Sequence, residues 1–306
     1  MARFFLLTTL AALAIGTTTT SARADSSHTL APPRERPTAT GRLRWAPSWG
    51  RFSVADGAIT LAFAATGFGA KGQPSSESTR RVGGVLFDDA IAKASRDLDV
   101  GAFARTGSDV VGYALYGAPF VLDAGLLAGL RHRSPEVALQ MALIDVEAMA
   151  VVVGVHGVVS LAIARERPYG AQCGGSLAAD SPDCIGDRRY RSFFSNHAVH
   201  AFNSAGLVCS HHLKLRLWGS GPADALTCAT ALAAASAVAT LRVLGDQHYA
   251  TDVIAGAATG ALIGFGVPLL HYAGGIPTLE LGRRGRDGTM VSVAPTSNGV
   301  SVSGIF

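Results

Sequence analysis

The sequence predicts an all-α protein, a helical bundle of about six core helices with a short C-terminal β-hairpin tail. Three observations carry this. Only 16% of the 306 residues are charged, against about 25% in an ordinary soluble domain, while 48% are hydrophobic and mean hydropathy is +0.30. Long apolar stretches alternate with short polar clusters, and two-residue alternation appears only near the C-terminal end. The 36 glycines follow no Gly-X-Y period, which suits closely packed helices or membrane spans. Such a chain buries a large core and is too apolar for disorder. Its net charge of +4 forms no concentrated basic tract. That argues against nucleic acid as a partner, because phosphate-backbone binding needs Lys and Arg gathered on one face.

Met1 to Ala24 has a basic start at Arg3, an apolar run from Phe4 to Ile15 and small residues at Ala22 and Ala24. This is the pattern of a secretory signal peptide cleaved before Asp25. The apolar run falls short of the roughly 20 residues of a spanning helix. Residues 25–50 read as a linker, because Asp25 to Ser48 is rich in Pro, Arg, Ser and Thr without an apolar period. A helical domain is expected over residues 51–276. Gly57 to Ala70 is uncharged, and Phe87, Ala90, Ile91, Ala94 and Leu98 recur as the apolar face of a surface helix. Val110 to Leu130 carries Pro119, an expected kink. Val137 to Ala164, Ala198 to Leu217, Ala225 to Leu244 and Val253 to Leu270 complete the set. In the tail, residues 277–306, alternation on either side of Asn298-Gly299 predicts a hairpin.

Export would place the chain in an oxidising compartment of the cell envelope. Cys173 and Cys184 lie close together in a Gly- and Ser-containing loop and are the disulfide candidates. Cys209 and Cys228 sit in apolar surroundings, where a buried free thiol is the ordinary state. Ala225 to Leu241 and Val253 to Leu270 are uncharged over 17 and 18 residues, at the lower end of the spanning range of about 17 to 25. Gly256, Gly260 and Gly264 lay a smooth strip along one helix face. The acids inside two candidate spans are costly in lipid unless they face protein. The reading is membrane association, with a tightly packed soluble bundle as its alternative.

Three polar clusters interrupt the apolar helices: Arg165-Glu166-Arg167-Pro168, Ser195-Asn196-His197, and Arg242 with His248 and Asp252. Guanidinium forks match phosphate oxygens in bidentate geometry, so Arg167 and Arg242 read as anion clamps. Helix-end arginines that merely reach the interface are the alternative. Ser195 reads as an N-cap, and a helix start offers free N–H groups to an anion. His197 then lies in the first turn, where it can donate a proton to a leaving oxygen. His248 and Asp252 are four residues apart. On a helix they share a face, so the carboxylate can orient the imidazole and leave one nitrogen nucleophilic. Zinc binding by His-x3-Asp is the competing reading, weakened by the flanking arginine and the lack of a clear third ligand.

In this order the clusters resemble the three-part signature of the type 2 phosphatidic acid phosphatase (PAP2) superfamily, which includes bacterial class A acid phosphatases and vanadium haloperoxidases. That signature runs Lys-x6-Arg-Pro, Pro-Ser-Gly-His, and Ser-Arg-x5-His-x3-Asp. Here the parts read Ser160-x6-Arg167-Pro168, Phe194-Ser195-Asn196-His197 and Leu241-Arg242-x5-His248-x3-Asp252. The resemblance covers roughly Leu86 to Gly275 and implies an all-α bundle with its active site where the motifs converge. It implies that His248 attacks phosphorus, Asp252 orients it and His197 protonates the departing oxygen. Arg167, Arg242, Ser195 and Asn196 would hold the phosphoryl oxygens, with Ser160 at the place of the family's Lys. It implies no metal and no cofactor for the phosphatases, and a phosphorylated small molecule or lipid as partner.

The departures matter. Ser160 removes one positive charge, a loss on the order of 10²-fold in rate for a charged donor. Asn196 replaces Gly, and Asn tolerates left-handed backbone well. Phe194 and Leu241 remove a turn constraint and a hydroxyl. The expectation is therefore a metal-independent phosphatase of the cell envelope, hydrolysing a phosphate monoester or a lipid (pyro)phosphate through a phosphohistidine. A catalytically weakened relative that binds phosphorylated lipid or another anion is the alternative, and a vanadate-dependent haloperoxidase stands third.

Overall fold

The computed structural model describes residues 41–75, 77, 80–273, 290–296 and 299–305. The expected signal peptide and most of the expected linker lie outside them. Eight helices are described. They are α1 (Val54–Lys71), α2 (Asp88–Arg96), α3 (Gly101–Ala118), α4 (Pro135–Ile163), the single turn α5 (Pro182–Ile185), α6 (Asn196–Leu215), α7 (Gly221–Leu244) and α8 (Ala250–Tyr272). The antiparallel strands β1 (Met290–Thr296) and β2 (Gly299–Ile305) form the expected hairpin, with Met290 opposite Ile305 and Thr296 opposite Gly299. The fold class is thus all-α, as the sequence predicts.

Local chemistry sets the helix ends. At α1, Ser53 and Asp56 cap one another, with Asp56 N donating to Ser53 Oγ at 3.4 Å and Ser53 N to Asp56 Oδ2 at 2.7 Å. Ser195 caps α6 and Ser220 caps α7, each accepting from a backbone N–H three residues on. Helix α4 stops where Ala164 turns left-handed at φ 45°, which releases the chain toward the first polar cluster. Pro119, the expected kink, stands where the long apolar helix changes type. Helix α3 continues through it as a π-helical stretch, Pro119–Arg131. Widening the turn accommodates a residue with no N–H and a bulky ring.

Helix α6 lies at the centre, packed on α8 and α7, with α3 and α4 beside it and α1 against α4. The glycine strip of α8 faces α6, so that a Cβ at Gly256, Gly260 or Gly264 would fall onto the carbonyls of Ser195, Val199 and Asn203 in turn. Four helical segments, Gly101–Arg131, Pro135–Ile163, Gly221–Leu244 and Ala250–Tyr272, are long and apolar enough to cross a membrane.

Three expectations are corrected. Cys209 is not a free thiol: it bonds Cys228 across α6 and α7, while Cys173 bonds Cys184 as expected. The antiparallel packing of the two helices brings together residues whose surroundings read as core. The end of the expected linker is part of the bundle, since Trp45 is buried, Trp49 sits edge-on to Tyr272 at 4.8 Å and Gly50 N donates to His271 O. Helix α2 turns its predicted apolar face outward: Phe87, Ala90, Ala94 and Leu98 are exposed, and Asp88, Ala92 and Ser95 are buried. The ion pair of Asp88 with Arg165, at 2.7 Å, fixes that orientation against the hydrophobic pattern.

Candidate active site

The site is assembled at one end of the bundle from the end of α4, the start of α6 and the turn between α7 and α8. After Ala164 the chain runs extended, held by Arg81 N donating to Ala164 O and Glu166 N to Arg81 O. Arg165 points to Asp252 at 2.6 Å and to Asp88 at 2.7 Å, and its guanidinium lies over the Tyr249 ring. Two carboxylates consume its charge, so it does not stand in for the missing lysine. Arg167 is buried and has no carboxylate partner among the described residues. Its donors go to the carbonyls of Arg188 at 3.1 Å and Arg191 at 3.4 Å and to Gln247 Oε1 at 3.0 Å. Burial lowers its pKa to about 10.

Arg242, near the end of α7, is 2% exposed. It donates to Asp109 Oδ1 at 3.0 Å, Ser108 Oγ at 3.2 Å and Gln247 Oε1 at 3.3 Å. Ser195 lies at the start of α6, where the first N–H groups of a helix have no intrahelical acceptor. Asn196 Oδ1 is buried with no partner among the described residues. His197 Nε2 lies 2.9 Å from Asp109 Oδ1, and the His197 carbonyl accepts from Tyr116 Oη. Burial and the Arg242 charge lower the His197 pKa to about 4, with Asp109 pulling the other way.

His248 sits in the turn before α8 and is 1% exposed. Sequence spacing predicts that Asp252 orients it across one helix face, but His248 precedes the helix. Its Nδ1 lies 2.8 Å from the Ser192 carbonyl and 4.0 Å from Asp252 Oδ2. A carbonyl only accepts, so Nδ1 carries the proton and Nε2 keeps its lone pair. Asp252 acts one residue removed, accepting from Ser192 Oγ at 2.6 Å and Tyr249 N at 3.0 Å. As the third residue of α8 it folds back to cap its own helix, and that geometry keeps it from the imidazole. Nε2 is buried with no partner among the described residues. Burial, then the charges of Arg167, Arg242 and His197, hold the His248 pKa well below its ordinary value.

Thus Arg167, Arg242 and His197 lie close enough to His248 for their charges to act on it, Ser195 and Asn196 open the helix that carries His197, and Asp252 stands behind His248. Ser160 does not join the clamp: it is buried, with Oγ donating to Gly157 O of its own helix at 3.3 Å. Sequence reasoning missed Asp109, Ser192 and Gln247. Ser192 and Gln247 are near neighbours of the motifs, where neutral residues carry no charge signal. Asp109 stands just outside the apolar stretch that begins at Val110, and its isolation between Asp99 and Asp123 was the available clue.

An unprotonated buried imidazole, a second imidazole beside a carboxylate, two guanidiniums and a helix start form a set suited to phosphoryl transfer, where positioning and charge stabilisation dominate. The family model of the PAP2 superfamily matches residues 142–275. No curated protein and no solved structure matches the chain. The match supports a hydrolase in general, acting on phosphorylated substrates. The matched stretch holds all three motifs, so over residues 142–275 the chain is similar to the PAP2 superfamily.

Proposed function

We propose that the protein is a metal-independent phosphatase of the cell envelope that hydrolyses a phosphate monoester or lipid (pyro)phosphate through a phosphohistidine. The observation that carries this reading is His248, with Nδ1 engaged by the Ser192 carbonyl and Nε2 bare beside the arginine clamp. The Nε2 lone pair attacks phosphorus, the bond from phosphorus to the leaving oxygen breaks, and His197 gives its proton to that oxygen. His197 is neutral in the empty site near neutral pH. A bound phosphate anion raises its pKa and supplies the condition for it to hold the proton. In the second half water attacks the phosphohistidine while His197 takes a proton back, which releases phosphate and restores the imidazole. Arg167 and Arg242 balance the charge on the phosphoryl oxygens throughout. The four apolar helices, and the outward apolar face of α2, support a membrane-embedded enzyme.

The test is phosphate release from an aryl phosphate and from a polyprenyl pyrophosphate, with acid quench to trap labelled phosphoenzyme. Label on histidine that is absent in His248→Ala is the expected result. Turnover retained in that variant overturns the mechanism. The position of Ser160, turned into its own helix, favours a second reading in which the protein binds phosphorylated ligands and turns them over slowly. A turnover number in the ordinary enzyme range of about 1–10³ per second removes it.

A further inference from the structure

Resting on the phosphatase reading, the geometry points to Gln247 as a positioning residue: its side-chain carbonyl holds the two clamp guanidiniums on one shared neutral acceptor and aims their remaining N–H groups at the phosphoryl oxygens. Gln247 Oε1 accepts from Arg167 Nη1 at 3.0 Å and from Arg242 Nη2 at 3.3 Å. Arg167 comes from the strand-like run after α4 and Arg242 from the end of α7, so nothing in the backbone couples them directly. Both are buried, both are cationic, and unbridged like charges would splay apart. One oxygen lone pair for each guanidinium removes that freedom before substrate arrives.

The turn that carries Gln247 is built to hold it there. Gln247 N and His248 N both donate to the Arg242 carbonyl, and Asp246 adopts φ 56°. The Asp246 carboxylate is tied to Arg96 at 3.3 Å and to Gln172 Nε2 at 2.5 Å. Gln247 itself is 5% exposed. The amide chemistry is specific to this job. Its oxygen accepts from both arginines without cancelling their charge, whereas a carboxylate in the same place would compete with the phosphate for the clamp. The neighbouring residue is the nucleophile, so one short turn registers the attacking nitrogen and the oxygen clamp together.

The experiment compares Gln247→Leu and Gln247→Glu with the unaltered protein. It reads kcat and KM on an aryl phosphate, and the inhibition constants of orthovanadate and inorganic phosphate. In Gln247→Leu, kcat falls about 10-fold and vanadate inhibition weakens in parallel, with KM changing less, because vanadate resembles the transition state that the aimed donors favour. In Gln247→Glu, both anions weaken about 100-fold as the new carboxylate occupies the clamp. A purely structural role would lower the active fraction and leave the inhibition constants of the remaining enzyme unchanged, which overturns the inference. Equal anion affinity in all three proteins overturns it too. Failure of the phosphatase reading is distinguishable, since the unaltered protein would then show neither turnover nor vanadate inhibition.

Discussion

The bundle buries histidines at both ends, and the two ends treat them differently. Helix α6 carries His197 in its first turn and His211 and His212 near its last, about 20 Å apart along the axis. At the far end every ring nitrogen of His211 and His212 has a partner. His211 lies 2.8 Å from Asp145 and 2.7 Å from Tyr272 Oη, and His212 lies 2.7 Å from Asp224 and 3.2 Å from Asp123. At the near end, His248 Nε2 has none among the described residues. Buried polar groups are ordinarily paired, so a bare imidazole nitrogen in a close-packed interior is a cost that folding alone would remove. The far end uses histidine to join helices, and on the proposed mechanism the near end keeps one lone pair for a substrate.

Substitutions can break that contrast. The largest effect is expected from His248→Ala, with kcat reduced about 10⁴-fold or more, read as phosphate release, while His212→Ala leaves kcat within a few-fold. If the far-end variant loses activity as steeply as the near-end one, the division of labour is wrong. Next come Arg167→Ala and Arg242→Ala, each expected to lower kcat/KM by about 10²- to 10³-fold. His212→Ala should instead cost about 3–5 kcal/mol of stability by leaving the Asp123 carboxylate unpaired and Asp224 with the Trp218 N–H alone, measured by denaturant unfolding of the detergent-solubilised protein.

The smallest effect, about 10-fold in rate, is expected from Asp109→Asn, and its signature is a pH shift. Asp109 raises the His197 pKa against burial and Arg242. Removing that carboxylate lowers the His197 pKa, so the proton needed by the leaving group is lost at lower pH and the alkaline limb of kcat moves to the acid side. An unmoved pH profile would separate Asp109 from proton transfer.

The long helices were legible because each is an extended apolar run, and the clamp was legible because arginine beside such a run lacks a local partner. The orientation of α2 was not legible, since its pattern of Phe87, Ala90, Ala94 and Leu98 describes hydrophobicity and carries no sign of which surface it meets. The pairing of Asp88 with Arg165, which decides the matter, joins positions far apart in sequence. The orienting group of His248 was hidden for a related reason. A four-residue spacing assumes a helix, and the carbonyl that takes its place belongs to Ser192, whose side chain also binds Asp252. Backbone acceptors leave no trace in residue identity. The Cys209–Cys228 bond likewise depends on two helices meeting, which composition does not encode.

The bare stripe on α8 has a catalytic consequence. On the proposed mechanism α6 opens with the general acid, and α8 follows directly on the nucleophile, so the gap between the two imidazoles is governed by how deeply one cylinder nests into the other. Gly256 is the stripe's member nearest that gap, and a Cβ added there would lie 2.8 Å from the Ser195 carbonyl oxygen. A single methyl there would act as a wedge, and a displacement of about 1 Å in an in-line reaction is worth about 10²-fold in rate. The working distance of the enzyme is in this sense set by side chains that the sequence leaves out.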